Sequence, residues 1–202
     1  MNYKWLNKTS SDKLIIFFNG WGMDEKIVEH LLPEDFNVIV FYDYNTLDIE
    51  VNLSKYTEKY IIAWSMGVMT ATLFKFENVK SSTAICGTPF AVDDEYGIPT
   101  RIYNLTIKGF SEKSSDKFMN RMFLSKPEID KFSNRTFESK LSELKQLLTY
   151  KPNTDFKYTK SIVADTDIII PTKNQLNYWN APEIIHSGHC PFYLYTKWSE
   201  LL

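Results

Sequence analysis

The sequence is poor in cysteine, with only Cys86 and Cys190 among its 202 residues. Two thiols form neither a disulfide framework nor a zinc site, so we expect both to be reduced and the protein to be cytoplasmic. Long hydrophobic runs are also missing: the longest, residues 14–18, is far too short to cross a bilayer. The N-terminus contains no apolar segment of the kind that a secretory signal requires.

A strong excess of one charge is absent as well. The chain carries 23 basic and 25 acidic residues, a net charge of −2, which gives no attraction to nucleic acid or to a membrane surface. No glycine-rich phosphate loop or dinucleotide motif occurs, and no group of histidines and acids has the spacing of metal ligands. We therefore expect no cofactor, no metal, and no nucleic-acid or membrane partner. We also expect a monomer.

The chain has an ordinary globular composition, with 44% apolar and 24% charged residues. Short apolar runs predict strands at residues 14–18, 38–41, 60–64, 83–86, 161–164 and 183–185. Helical patterns between and after them predict helices at residues 24–32, 66–76, 172–179 and 192–202. This alternation predicts a mostly parallel sheet with helices on both faces.

Residues 93–150 interrupt the alternation and contain several short helical patterns, for example at 116–123 and 137–148. From residue 101 to residue 150 there are ten basic and six acidic residues, a net charge of +4, which leaves −6 for the rest of the chain. The sequence therefore predicts an α/β core formed by residues 1–92 and 151–202. That core carries a basic helical lid insertion, residues 93–150.

An apolar strand runs directly into a tight turn in the segment YIIAWSMG, residues 60–67. The pattern small-x-Ser-x-Gly between a strand and a helix is that of a nucleophile elbow, which lifts a serine hydroxyl into a cleft. Ala63 stands where the motif usually has glycine. From this segment alone two interpretations of Ser65 stay open: a catalytic nucleophile, or a serine that caps an ordinary helix.

A second loop that contains glycine, NGWG at residues 19–22, follows the first predicted strand. Acyl transfer at an activated serine needs two backbone N–H donors for the tetrahedral oxyanion. One comes from the residue after the nucleophile and one from such an early loop. The matching amides here are those of Met66 and Trp21. The alternative is a plain glycine turn.

Three histidines occur in the chain, and we favour His189 as the catalytic base. It follows the last predicted strand, at the edge where ligands bind in open α/β sheets. His30 is interpreted as a surface residue and His186 as structural. For the acid we favour Asp167, with Asp165 as a cap or turn residue. Serine, aspartate and histidine then follow in the order expected of this kind of hydrolase, with the aspartate holding the tautomer of the histidine.

Four segments together resemble the short pimeloyl-acyl-carrier-protein methyl ester esterases of biotin synthesis. They are FFNGWGMD (17–24), AWSMG (63–67), KNQ (173–175) and GHCPF (188–192). The resemblance implies a compact α/β-hydrolase fold without the usual first strands, and hydrolysis of the methyl ester of pimeloyl-acyl carrier protein. It also implies a triad of Ser65, Asp167 and His189, with an oxyanion hole from the Trp21 and Met66 amides.

The basic insertion supplies a physical reason for an acidic partner, since its net positive charge would attract an acyl carrier protein. Arg121 and Arg135 are the candidate contacts, because arginine pairs well with carboxylate and phosphate. Candidates for substrate binding and for lining an acyl channel are apolar: Trp21, Phe110, Phe118, Met119, Met122 and Phe123. The alternatives are a solvated helical face for the charges and lid packing for the apolar side chains.

Three functions are compatible with the sequence. The first, which the resemblance favours, is a serine carboxylesterase acting on a carrier-bound methyl ester; the complete candidate triad disfavours only the non-catalytic alternative given last. The second is a thioesterase or general acyl hydrolase that uses the same triad on a different bond. The third is a non-catalytic ligand-binding protein built on the same scaffold.

Overall fold

The computed structural model describes residues 1–125 and 132–202, and these form one seven-stranded sheet. Its strands, in chain order, are β1 (Asn2–Asn7), β2 (Lys13–Phe18), β3 (Asn37–Tyr42), β4 (Glu58–Trp64), β5 (Val79–Ile85), β6 (Lys160–Ala164) and β7 (Glu183–Ile185). The spatial order is β1-β3-β2-β4-β5-β6-β7. Strand β1 is antiparallel to β3, and every other pair of neighbouring strands is parallel. The mostly parallel sheet expected from the sequence is therefore present.

The central strands are buried on both faces of the sheet, which explains their continuous apolar runs. In β2 the side chains of residues 14–18 have no exposed surface. Ile15 and Phe17 pack into the hydrophobic cluster on one face. Ile16 and Phe18 pack into the cluster on the other face. Strand β1 was not predicted from the sequence, because it is a half-exposed edge strand whose polar residues interrupt any apolar run.

The helices of the core are shorter than their sequence patterns predict. Helix α1 (Met66–Ala71) ends before residue 76, whereas α5 (Thr172–Tyr178) agrees with its predicted range. The helix expected over residues 24–32 is a single 3₁₀ turn, Glu25–Ile27. The helix expected over 192–202 is two 3₁₀ turns, Phe192–Leu194 and Trp198–Leu201.

A long-range backbone pairing explains why these last two segments are not continuous helices. Leu32 pairs with Lys197 in a parallel bridge. The Leu32 amide donates to the Thr196 carbonyl at 2.9 Å, and the Trp198 amide donates to the Leu32 carbonyl at 3.2 Å. Both segments must be extended at this point, so tertiary hydrogen bonds override local helical propensity.

Between β5 and β6 the described residues form three helices: α2 (Thr100–Gly109), α3 (Glu112–Asn120) and α4 (Phe137–Leu147). Helix α3 begins earlier than predicted because Ser111 caps it through a reciprocal bond with Ser114. The expected insertion falls partly outside the described residues, including its charged residues Lys126, Glu128, Asp130 and Lys131. Helix α4, with 11 residues, is the longest that the structure describes, and none of these helices is long and apolar enough to span a bilayer.

Candidate active site

Three side chains that are far apart in the sequence meet at the carboxyl edge of the sheet. Ser65 lies at the turn between β4 and α1, Asp167 follows β6, and His189 follows β7. The distance from His189 Nε2 to Ser65 Oγ is 2.8 Å, and that from His189 Nδ1 to Asp167 Oδ2 is 2.8 Å. All three residues are buried. A serine, a base and an acid that orients the base require this hydrogen-bonded chain.

The backbone at Ser65 has the strained geometry of an elbow. Its φ is 58° and its ψ is −125°, a combination that is costly for any residue with a side chain. A Cβ atom at Gly67 would lie 2.3 Å from the Phe18 carbonyl oxygen, so no larger residue fits there. The Ser65 side chain makes no capping hydrogen bond to α1. The interpretation of Ser65 as an ordinary helix cap is therefore wrong.

The carboxylate of Asp167 is held by four donors. Its Oδ1 accepts from the Ile169 and Ile170 amides at 2.8 and 3.1 Å. Its Oδ2 accepts from Gln175 Nε2 at 2.8 Å as well as facing His189. The buried Gln175 is in turn fixed by donating to the Ile170 carbonyl at 2.7 Å. Sequence reasoning noted Gln175 only as part of a motif; its place in the helix after the acid was the available signal.

The other histidines lie away from Ser65. His186 Nδ1 is 2.8 Å from Asp165 Oδ2, and this pair is exposed to solvent. The hydrogen bond from His186 lowers the pKa of Asp165 below its ordinary value. His30 is exposed and stacks on the ring of Tyr193 at 4.6 Å.

The loop after β2, residues 19–22, lies beside Ser65 and is called the oxyanion loop below. Met66 is the first residue of α1, a position whose amide has no acceptor within the helix. Asn19 braces the loop by donating from Nδ2 to the Asp24 carbonyl at 2.7 Å. The indole of Trp21 donates from Nε1 to the Lys140 carbonyl at 2.7 Å. Helix α4 of the insertion therefore contacts the oxyanion loop directly.

A narrow cavity of about 60 Å³ opens onto Ser65 and His189. Four of the residues proposed from the sequence for substrate binding line it: Trp21, Phe118, Arg121 and Met122. Met66, proposed for the oxyanion hole, also lines it. The other walls were not proposed for substrate binding and are mostly apolar: Gly20, Trp64, Ile98, Ile102, Tyr103, Thr106, Leu144, Ile168 and Ile169. An apolar channel with few polar groups is typical of a site for a hydrocarbon substrate.

Arg135, proposed from the sequence as a contact with the carrier, is not on the surface. Its side chain is only 6% exposed. The guanidinium pairs with Glu143 Oε2 at 2.5 Å and with Asp43 Oδ1 at 2.9 Å. Its guanidinium is held by the buried Glu143 carboxylate and the half-buried Asp43 carboxylate, so the expectation that it contacts a carrier is wrong.

Three residues proposed for the acyl channel, two phenylalanines and one methionine, do not line the cavity either. Phe110 stacks on Phe137 with ring centroids 5.2 Å apart and lines a neighbouring groove between α2 and α3. Met119 is buried in the core. Phe123 stacks on Phe132 with centroids 4.9 Å apart. These side chains pack the insertion, which was the alternative that the sequence left open.

In the part of the chain that the structure describes, no three histidine, cysteine or acidic side chains cluster as metal ligands would. Cys86 and Cys190 are both free and buried, and burial raises the pKa of each thiol. Neither thiol lies at the elbow.

Comparisons with known proteins bear on this site and on the fold. The family model described as "Pimeloyl-ACP methyl esterase BioG" matches residues 1–201. The crystal structure of BioG from Haemophilus influenzae is 31% identical, with a TM-score of 0.92 over 100% of this chain and 99% of that one. An alpha/beta hydrolase from a deep-sea metagenome library, 16% identical, has a TM-score of 0.61 over 96% of this chain and 88% of that one.

A malonyl-[acyl-carrier protein] O-methyltransferase of Bacteroides fragilis is 37% identical over 176 residues, 82% of this chain. That match spans only 36% of the methyltransferase, so this chain corresponds to about a third of that relative. The solved structures confirm the α/β-hydrolase fold expected from the sequence. From the family match over nearly its whole length, the chain belongs to the BioG family.

Proposed function

We propose that the protein is a serine carboxylesterase that hydrolyses the methyl ester of a pimeloyl chain carried on acyl carrier protein, releasing methanol. The observation that carries the proposal is the hydrogen-bonded chain of Asp167, His189 and Ser65 at the end of an apolar cavity. Membership of the BioG family, whose model is described as a pimeloyl-ACP methyl esterase, supports this choice of substrate.

The first half of the reaction acylates the serine. Ser65 Oγ attacks the ester carbonyl carbon while His189 Nε2 takes the hydroxyl proton. The Trp21 and Met66 amides stabilise the oxyanion of the tetrahedral intermediate, and each such donor contributes about 3 kcal/mol. The intermediate collapses when His189 returns the proton to the methoxy oxygen, which leaves as methanol.

The second half releases the acid. A water molecule gives a proton to His189 and attacks the acyl-serine carbonyl. Collapse of the second tetrahedral intermediate frees the carboxylic acid and restores the Ser65 hydroxyl. Throughout, Asp167 keeps Nδ1 of the imidazole as a donor and stabilises the imidazolium that forms in each step.

The surface around the cavity suits a carrier with negative charge. Arg121 lies at the cavity and also lines the groove between α2 and α3, together with Lys117. Six basic side chains of the described insertion are exposed: Arg101, Lys108, Lys113, Lys117, Arg121 and Lys145. Ile102 and Ile168, which line the cavity with Arg121, expose 51% and 57% of their surface. Exposed apolar side chains beside a cation suit an acidic protein that delivers a hydrocarbon chain.

The proposal is tested with pimeloyl methyl ester on acyl carrier protein as substrate. The wild-type protein is expected to release methanol, and Ser65→Ala to reduce the rate on the order of 10⁶-fold while its circular dichroism spectrum stays unchanged. Release of the carrier thiol in place of methanol would show a thioesterase. Unchanged hydrolysis by Ser65→Ala, or failure of a fluorophosphonate to label Ser65, would contradict the serine mechanism.

A further inference from the structure

We propose that Glu143, a buried acid on α4, is a positioning residue that holds the oxyanion loop in its reactive geometry. The inference rests on the proposed esterase function, since it holds that a side chain of α4 sets the orientation of the Trp21 amide toward the oxyanion. It gives α4 a role in the chemistry that is separate from covering the cavity.

The two oxygens of Glu143 accept hydrogen bonds from two backbone segments, the oxyanion loop and the loop after β3. Oε2 accepts from the Gly22 amide at 3.0 Å and pairs with Arg135 at 2.5 Å. Oε1 accepts from the Tyr44 amide at 2.8 Å. The Tyr44 hydroxyl then donates to the Asn19 carbonyl at 2.8 Å. The carboxylate therefore fixes the last residue of the oxyanion loop directly and its first residue through Tyr44.

Trp21 lies between these two anchor points. The Gly22 amide belongs to the peptide group that joins Trp21 to Gly22, so its bond to Glu143 sets the orientation of that peptide plane. Gly22 has a φ of 75°, a conformation that favours glycine and that the loop adopts at this turn. The Trp21 indole is fixed by the Lys140 carbonyl, one helical turn before Glu143. Helix α4 thus restrains both the indole of Trp21, through the Lys140 carbonyl, and the peptide group that follows Trp21, through Glu143.

A role in stability alone does not account for an acid at this position. Lys140, Glu143, Leu144 and Leu147 form the buried face of α4. Removal of the Glu143 carboxylate from water is costly, and burial raises its pKa despite the nearby Arg135. Buried ion pairs contribute little net stability compared with well-packed apolar residues. What only a carboxylate supplies here is a pair of acceptors for two backbone amides.

The test compares Glu143→Gln with the wild-type protein on a p-nitrophenyl ester of a short acid, a substrate that needs no carrier. Glutamine keeps the size of the side chain but has one acceptor oxygen, so one amide loses its bond. We expect kcat to fall roughly 10- to 100-fold and KM to change less than about twofold, because the interaction acts in the transition state. Affinity for an alkyl trifluoromethyl ketone, which forms a tetrahedral adduct with Ser65, should fall by about the same factor as kcat/KM.

Asp43→Asn is the matched control. Asp43 pairs with the opposite side of the Arg135 guanidinium at 2.9 Å and accepts from Ser139 Oγ at 3.1 Å. Its replacement weakens the same buried network but leaves the Gly22 and Tyr44 bonds to Glu143 in place. We expect a lower Tm with kcat within about twofold of the wild-type value. If Glu143→Gln does not fold, Glu143→Asp serves, because it keeps the charge and withdraws it from the Gly22 amide.

The outcomes separate the inference from the proposed function. A folded Glu143→Gln protein with unchanged kcat, or with reduced kcat but unchanged affinity for the ketone, overturns the inference and leaves the esterase standing. Equal losses of kcat in Glu143→Gln and Asp43→Asn would show a general effect of stability and also overturn it. Absence of hydrolysis dependent on Ser65 in the wild-type protein would overturn the proposed function and the inference together.

Discussion

Two aspartate–histidine pairs lie at the carboxyl edge of the sheet, and at the scale of single residues burial distinguishes them. Asp165 with His186 and Asp167 with His189 have the same nitrogen–oxygen distance, 2.8 Å. The side chains of the first pair are 39% and 78% exposed, whereas those of the second are 0% and 2% exposed. Only the second pair is shielded from water, which strengthens its electrostatic interactions.

This difference predicts opposite outcomes for the same substitution. Asp167→Asn should lower kcat on the order of 10⁴-fold, because the amide cannot hold the required tautomer of His189. Asp165→Asn removes the matching carboxylate from the exposed pair and should leave kcat unchanged. Steady-state hydrolysis of a p-nitrophenyl ester measures both variants. A large loss in Asp165→Asn, with Asp167→Asn still active, would reverse the assignment of the acid.

At the scale of elements, α4 shows how a charged helix face can be buried. Its range was predicted from the sequence almost to the residue, but the burial of its charged side chains Lys140 and Glu143 was not. Arg135 precedes the helix and its side chain reaches forward to Glu143 within it. The interactions with Glu143 and Asp43 leave none of the three side chains more than 17% exposed. Local periodicity places a helix, whereas the second acid that pairs with Arg135 is Asp43, from the loop after β3, about ninety residues away in the sequence.

The buried network makes two arginines of the insertion unequal for stability. Arg135→Ala leaves Glu143 buried without its cation and should lower the free energy of unfolding by about 3–5 kcal/mol. Arg121→Ala removes an exposed side chain and should change it by less than about 0.5 kcal/mol. Urea unfolding followed by tryptophan fluorescence gives both values. Equal stabilities of the two variants would contradict the burial of Arg135 in solution.

At the scale of the whole molecule, charge is divided between the parts of the chain. The segment from residue 101 to residue 150 carries a net charge of +4 and the remainder −6. Two exposed basic side chains of this segment lie at the cavity or beside it: Arg121 lines the cavity, and Lys117 lines the neighbouring groove. Such a separation favours the approach of an acidic partner in one orientation, an effect that added salt screens.

The proposed docking predicts a dependence on salt that only the carrier-bound substrate shows. Raising the ionic strength from about 0.01 to 0.15 M shortens the Debye length from about 30 to 8 Å, so KM for carrier-bound pimeloyl methyl ester should rise. KM for the same ester without a carrier should stay constant. Arg121→Glu should raise KM for the carrier-bound ester alone. Equal KM values for both esters at every salt concentration would contradict docking through this surface.

Much of the fold and of the candidate site could be predicted because the signals were local. Parallel strands buried on both faces need apolar runs, and the turn at Ser65 needs a small residue at Gly67. The catalytic roles of Ser65, Asp167 and His189 stay predictions, but the positions of these residues after successive strands already indicated one edge of the sheet. The role of Gln175 was not predicted, because its place in the helix after the acid does not show which atoms its side-chain amide will contact.

The sequence by itself determined six of the seven strands, the α/β class and the three segments that carry Ser65, Asp167 and His189, because each depends on neighbours in the chain. Only the tertiary structure decided that Arg135 and Glu143 are buried together. It also decided that the segments around Leu32 and Lys197 pair instead of forming helices. The physical reason is the same in both cases, because burial of a charge and pairing of an amide depend on partners that are distant in the sequence. For Arg135 and Glu143 these partners are Asp43, Tyr44 and Gly22. For Leu32 they are Thr196 and Trp198.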